Sequence, residues 1–271
     1  MGVQIQMTKQ GNQSRRQICR VCDSTTGEPI FSASVLGRTI EYVECSNCRY
    51  VQTEEPDWLE QAYASVINGS DTGIMARNQT NVGIVLATLA CLGLRNGRVV
   101  DFAGGYGILV RMLRDKGVDA LWADPFCQNL VAVGFEHKEE RADLVTAFEA
   151  FEHFVQPVAE MERILALGGN LLLSTNIIPS PSPAPSDWWY YGLEHGQHVG
   201  FFRVETLEFL AKRFGKHLAT NGHNYHLFSS SPTSAHLWRL GIRIGSKMPK
   251  IFSLGRSSKV WSDHVRMSST Q

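Results

Sequence analysis

Three sets of residues in this chain have the types and spacing to do chemistry. Cys19-x-x-Cys22 and Cys45-x-x-Cys48 are two CxxC pairs with 22 residues between them. Each pair places two thiolates on one tight turn, and two such turns complete a tetrahedron of sulfur around zinc. Four sulfur ligands leave no open position for a substrate, so such a metal is structural. Nothing nearby reads as a thioredoxin unit, which disfavours redox exchange. The second set is Val99-Val100-Asp101-Phe102-Ala103-Gly104-Gly105-Tyr106-Gly107. Two β-branched residues lead into an acid and then a small, glycine-rich loop. The third is Glu194-His195-Gly196-Gln197-His198, an acid and two histidines within five residues, with His153 a further candidate. A histidine held by a carboxylate supplies a base near neutral pH.

The elements that must position these groups follow from apolar spacing. Val99–Gly107 is a strand and a tight loop, and Ile108–Arg114 continues as a helix, the layout that opens a nucleotide-binding α/β unit. Lys116-Gly117 closes that helix. Val118–Ala123 is a second strand, ending in Asp124-Pro125. Asp124 lies 23 residues after Asp101, close to the spacing at which an acid takes ribose hydroxyls. Ala142–Phe148 is a third strand, followed by Glu149–Phe154. Pro157–Leu167 is a helix stopped by Gly168-Gly169, and Asn170–Ile178 is a fourth strand. This alternation predicts a parallel sheet with helices on both faces. Arg77–Leu94 has the spacing of a long helix packed beside the first strand, and Pro56–Val66 that of a short one carrying Trp58 and Tyr63. Asn68–Gly73 is a polar loop. Phe31–Val43, between the cysteine pairs, alternates as a hairpin around Gly37. Ile178–Ser186 is a Pro/Ser-rich loop leading to Trp188-Trp189-Tyr190-Tyr191. Val204–Phe214 is a helix, and His217–Ser231 an antiparallel hairpin. The expected organisation is a disordered lead-in (1–15), a four-cysteine module (16–55), an α/β domain (56–233) and a basic amphipathic segment (234–271).

Composition excludes several classes. The 271 residues carry 26 basic and 26 acidic side chains, and 43% are hydrophobic. A neutral chain lacks the basic face that nucleic acid needs, so no DNA partner is expected and RNA is disfavoured. No apolar run reaches the roughly 18 residues of a membrane span. The first residues lack the apolar core of a signal peptide, so a cytoplasmic location with reduced cysteines is expected, and Cys91 and Cys127 read as lone core thiols. The Asn78-Gln79-Thr80 sequon then has no meaning. His236–Arg266 holds seven Lys/Arg and one Asp. Its interleaved apolar residues fit either a helix packed on the domain or a contact with an anionic surface.

Taken together, Asp101-Phe102-Ala103-Gly104-Gly105-Tyr106-Gly107, the acid at Asp124 and the Glu152-His153 pair after the third strand resemble the class I S-adenosylmethionine-dependent methyltransferases. That family's glycine motif reads acid-x-Gly-x-Gly-x-Gly, and Ala103 stands at its first glycine. The resemblance covers about residues 77–231 and implies a Rossmann-like α/β sheet. The cysteine module and the Glu194-His195 segment resemble the sugar-methyltransferase branch, which includes sugar C-methyltransferases with an N-terminal zinc module. In that branch an aromatic-x-Glu-His segment lies beside the sugar; Tyr191-Gly192-Leu193-Glu194-His195 is one residue longer. The further C-terminal domain of those C-methyltransferases is not matched here. An RNA methyltransferase with a zinc ribbon is one alternative. A dinucleotide-dependent oxidoreductase, with Gly105-Tyr106-Gly107-Ile108-Leu109-Val110 as its glycine motif, is another.

The resemblance implies roles. Ala103, Gly104, Gly105 and Gly107 floor the methionine and ribose parts of S-adenosylmethionine, and Asp101 orients its amino group. Asp124 accepts the ribose hydroxyls, with Pro125 and Phe126 beside the adenine. Phe148 or Glu149 meets the sulfonium end, although Glu149 and Glu152 read equally well as helix-start acids. Tyr63, Arg77 and Asn78 close the pocket from the N-terminal side. His195 is the first choice of base, with Glu194 as its partner and His198 and His153 as further choices. Trp188–Tyr191 either stack on a sugar or form a lid packed on the core. A small sugar-type acceptor, S-adenosylmethionine and one structural zinc are the expected partners.

Overall fold

The computed structural model describes residues 17–63 and 72–269. The expected lead-in, the end of the short helix and the start of the polar loop lie outside them. Strands β1 (Pro29–Val35) and β2 (Arg38–Glu44) form an antiparallel hairpin closed at Val35 and Arg38. Leu36 and Gly37 make the turn, both at positive φ (50° and 79°), as a two-residue hairpin turn demands. Strand β3 (Val51–Thr53) pairs with β2. Short helix α1 (Leu59–Ala62) follows, then α2 (Ile74–Cys91).

The second sheet carries the α/β order. Strand β4 (Arg98–Phe102) leads through the glycine loop into α3 (Ile108–Asp115), and β5 (Asp119–Ala123) follows. Strand β6 (Leu144–Phe148), helix α4 (Pro157–Leu167) and strand β7 (Leu171–Ser174) come next. After the aromatic segment come β8 (Gly200–Phe201), α5 (Val204–Arg213), β9 (His217–Thr220) and β10 (Tyr225–Ser229). The six strands run β5-β4-β6-β7-β10-β9. β4 to β7 are parallel, and β10 is antiparallel to both β7 and β9. The sheet is therefore mixed rather than parallel throughout, because a hairpin on one edge must run antiparallel. Every residue of β7 and all but the last of β6 are buried. A strand hidden at successive positions is covered on both faces.

Strand β8 does not join this sheet. It pairs with β3, so the smaller sheet runs β1-β2-β3-β8. Its core combines Val35, Ile40, Tyr42 and Val51 from the N-terminal unit with Ile178, Tyr190, Tyr191, Val199 and Phe201 from the later segment. Arg203 locks the join with a buried bidentate pair to Glu44 (3.1 and 3.0 Å).

The C-terminal residues form α6 (Ala235–Lys247), α7 (Pro249–Ser253) and α8 (Val260–Ser268). Trp238 and Ile242 of α6 are buried, and Trp238 Nε1 donates to Thr88 Oγ1 of α2 at 3.0 Å. Leu237 and Leu240 are exposed beside the exposed Arg239 and Arg243. Asp263 of α8 accepts a two-pronged bond from Arg114 of α3 (2.8 and 2.7 Å). Cys91 is exposed at the end of α2 and Cys127 is half-buried, so neither is the core thiol expected from sequence. Among the described residues no helix is long and apolar enough to cross a membrane.

Helices α2 and α6 approach closely through facing glycines. A Cβ on Gly83 would overlap the carbonyl of Gly245, and one on Gly245 would overlap that of Gly83. Gly83→Ala should therefore force the helices apart and lower unfolding stability by about 2 kcal/mol, measured by chemical denaturation. An unchanged midpoint would show that the crossing is looser than described.

Candidate active site

In an open α/β sheet, ligands bind at the carboxyl ends of the strands where strand order reverses. Here that point lies between β4 and β6. Asp101 near the end of β4 is buried and accepts from Thr146 Oγ1 of β6 at 2.6 Å. Burial raises its carboxyl to about 7, with the charge of Asp124 adding to the effect.

The loop after β4 leaves little room for alternatives. A Cβ on Gly104 would sit 2.9 Å from Trp122, and one on Gly107 would sit 2.7 Å from Asn129 Oδ1. Gly105 faces open space. Ala103 has φ 57°, so the alanine at the first glycine position holds a left-handed backbone. That conformation costs about 1 kcal/mol for a residue with a Cβ. Gly107, also left-handed, caps the start of α3.

Asp124 occupies its expected place but already holds protein groups. Its Oδ2 accepts from Gly105 N at 2.9 Å, and its Oδ1 from Phe126 N and Cys127 N at 2.8 and 3.0 Å. It braces the glycine loop against the end of β5, with spare lone pairs toward the cleft it lines. Phe126 is 83% exposed at the rim. Phe148 packs edge-on against Tyr225. Glu149, in a left-handed conformation, accepts from Ser174 Oγ at 2.6 Å.

A recess of about 130 Å³ joins Asp101, Ala103, Gly104, Gly105, Phe148 and Glu149 to Arg77, Asn78 and Asn81 of α2. It adjoins a cleft of about 1590 Å³ that shares Ala103, Gly105 and Glu149. The cleft exceeds the roughly 300–1,000 Å³ of a site for one small ligand, so it has room for two side by side. It is also lined by His153, His195, His198 and Glu152. The ring centroids of His153 and His198 are 4.8 Å apart, and those of His195 and His198 are 4.9 Å apart. Sequence thus named all three histidines, and folding brings them together from two segments.

Their hydrogen bonds separate their roles. Gln197 N donates to His195 Nδ1 at 3.1 Å, which leaves the His195 proton on Nε2 and makes that edge a donor. His198 Nδ1 donates to the Tyr190 carbonyl at 2.6 Å, which leaves a lone pair on Nε2. His153 Nδ1 lies 2.9 Å from the Tyr63 hydroxyl. Burial lowers the His153 imidazole to about 4 and pushes His198 well below its ordinary range. Both are neutral at physiological pH. Burial also raises Glu152 to about 8, with Glu149 adding to the effect. Glu194 is exposed. Trp189, 78% exposed, stands at the cleft while Tyr190 and Tyr191 are buried, so the aromatic segment is part core and part wall. Thr146 was not legible as a site residue. The signal for Thr146 was its place on the strand beside Asp101.

The four cysteines also meet, with all four sulfurs within 4.8 Å of one another. Cys19 and Cys48 are 3.5 Å apart, and Cys22 and Cys45 are 3.4 Å apart. The two turns match. Asp23 and Arg49 each follow a second cysteine at positive φ, and each donates its N–H to the carbonyl of the first cysteine at 3.0 and 2.9 Å.

The family model described as "Methyltransferase domain" matches residues 76–221. Among solved structures, TnmH is similar over 65% of this chain and 62% of its own, with 15% identity and a TM-score of 0.45. A 1,6-didemethyltoxoflavin-N1-methyltransferase of Burkholderia thailandensis, with S-adenosylhomocysteine bound, is similar over 74% and 97%, with 17% identity and a TM-score of 0.48. Magnesium protoporphyrin IX methyltransferase (ChlM) of Synechocystis PCC 6803 is similar over 64% and 91%, with 18% identity and a TM-score of 0.41. No curated protein matches the chain.

The raised Asp101 carboxyl has a consequence for stability. Unfolded, the group ionises at its ordinary value of 3.8; folded, at about 7. Its contribution to stability is present below the first value and lost as pH rises through the second. Asp101→Asn should therefore melt higher than the parent at pH 8.5, with the gap closing toward pH 4. Equal melting at pH 8.5 would contradict the burial described.

Proposed function

The chain belongs to the methyltransferase domain family, and we propose that it transfers a methyl group from S-adenosylmethionine to a hydroxyl of a sugar or sugar-containing small molecule. One observation carries this reading. The glycine loop at the strand-order reversal opens into the same cleft that the neutral histidine cluster lines. S-adenosylmethionine supplies a sulfonium methyl: the hydroxyl oxygen's electron pair forms the new C–O bond, the C–S pair stays on sulfur, and the hydroxyl proton leaves.

The chain's own groups divide that task. Asp101, ionised above about 7, faces the recess and suits a cationic amino group. The open face of Gly105 lets a ligand approach the backbone. Asp124 holds that face in place and keeps lone pairs for ribose hydroxyls. In the same cleft, the free Nε2 lone pair of His198 draws on the acceptor's proton, and the Nε2–H of His195 orients its oxygen. Exposed Trp189 offers a flat apolar face beside polar Asp187 and Gln197, a combination that fits a sugar ring. His198→Ala should keep S-adenosylhomocysteine affinity within about twofold by calorimetry and lose at least about 100-fold in turnover, the usual scale of acid–base assistance. Loss of binding, or retained turnover, would remove His198 from this role.

We assign the four cysteines a structural zinc. Sulfurs bound to one zinc at about 2.3 Å would lie about 3.8 Å apart in a tetrahedron, a spacing the cluster can meet within its 4.8 Å span. The left-handed Asp23 and Arg49 close each turn on the carbonyl of its first cysteine, and Val21 N donates to Cys19 Sγ at 3.5 Å, a contact that favours thiolate charge. Cys45→Ser should lower zinc content by one ion per chain and destabilise the β1–β2 hairpin, read by metal analysis and hydrogen exchange. Unchanged zinc content would exclude the site.

A further inference from the structure

We propose that Glu152, His153 and His198 bind a divalent first-row transition cation at the acceptor end of the cleft. One ligand atom from each residue lies within 4.8 Å of the others. Glu152 carries the strongest indication. It is 0% exposed, and among the described residues neither carboxyl oxygen closes a hydrogen bond of good geometry, although the Tyr190 and Thr175 hydroxyls stand near it. Buried polar side chains are nearly always satisfied, and a lone buried carboxylate is among the most costly groups to leave unpaired. A protonated Glu152 could satisfy itself by donating to an imidazole, but no such bond is made.

The two imidazoles are arranged as ligands are. His198 is held by its Nδ1–H on the Tyr190 carbonyl, which fixes the ring and leaves Nε2 with a lone pair. His153 is held through Nδ1 by the Tyr63 hydroxyl, 2.9 Å away. Anchoring the far nitrogen of a histidine on a backbone carbonyl or polar side chain is the usual outer support of a metal ligand. All three residues line the cleft, so a bound cation keeps open positions toward the solvent side. Two imidazoles and one carboxylate suit Mn²⁺, Co²⁺ or Zn²⁺ better than a hard ion that requires only oxygen. The donor set differs from the four thiolates of the cysteine cluster, so the two sites can be loaded and counted separately.

Binding of the cation stands on these side chains alone; only its use rests on the methyl-transfer reading. There a cation would hold the acceptor oxygen and lower the pKa of its hydroxyl, with the proton passing to water in the open cleft. In the metal-loaded protein the Nε2 lone pair of His198 would be engaged by the cation, so the free-base role given above belongs to the metal-free chain.

The test is a Mn²⁺ titration of the full-length, zinc-loaded protein, followed by electron paramagnetic resonance, with total zinc counted in parallel. One Mn²⁺ per chain is expected, displaceable by excess Zn²⁺ to give a second zinc. Glu152→Gln and His198→Ala should each weaken Mn²⁺ binding at least tenfold while circular dichroism stays native. S-adenosylhomocysteine calorimetry on the same samples reads the donor site independently. No bound Mn²⁺ together with a single zinc per chain overturns the proposal, as does Mn²⁺ binding that neither variant weakens. Intact Mn²⁺ binding without S-adenosylhomocysteine binding leaves the metal site standing and removes the methyl-transfer reading instead.

Discussion

The pairing of β3 with β8 is the constraint on which the rest of the site depends. Val51 faces Phe201 and Gln52 faces Gly200 in a ladder only two residues long. Directly before it in sequence stand His195 and His198. Their loop is pinned at a second point, where Trp58 Nε1 donates to the Gly196 carbonyl at 2.8 Å. Arg20, one residue after Cys19, ties the cysteine turns to the same strand through the carbonyls of Thr53 and Glu54 (3.0 and 2.8 Å). Thr206 of α5 donates to the Cys48 carbonyl at 2.8 Å. The cysteine unit is thus the scaffold that holds one wall of the cleft, while the large sheet holds the other.

The electrostatics of the cleft follow from burial more than from pairing. Asp101, Glu152, His153 and His198 all shift in the direction that disfavours their charged form, and desolvation is the leading cause in each case. Salt bridges of the ordinary kind lie elsewhere. Arg203 with Glu44 joins the small sheet to α5, and Arg114 with Asp263 holds α8 against α3. Charges used for architecture are neutralised by partners. Asp101, Glu152, His153 and His198 make no ion pair among the described residues, and this is what makes them responsive to a ligand.

Much of the fold was legible because its signals are local. The helix at Pro157–Leu167 has the expected bounds, since proline starts it and two glycines end it. The turn at Leu36-Gly37, the glycine loop and the hairpin at the sheet edge follow from residue types over a few positions. The residues that line the cleft were legible in identity but not in arrangement. His195 stood out because Glu194 precedes it, yet Glu194 is solvent-exposed and a backbone N–H occupies His195 Nδ1. Asp124 read as a ribose ligand, while its oxygens also hold three backbone amides of the loop. Glu152 read equally as a helix-start acid, because nothing local distinguishes an exposed carboxylate from one buried without a partner.

The sequence by itself determined the class of the fold, the glycine loop with its acid, the two cysteine pairs and the identities of the clustered histidines, because each is a matter of residue type and short spacing. Only the tertiary structure decided that β8 would leave the α/β order and complete the small sheet. It also decided that Gly83 and Gly245 would let α2 and α6 touch, and that Glu152 would meet His153 and His198 along the cleft. These pairings join residues far apart in the chain. They are selected by the apolar surface buried when the two cores close, a quantity that no single segment carries.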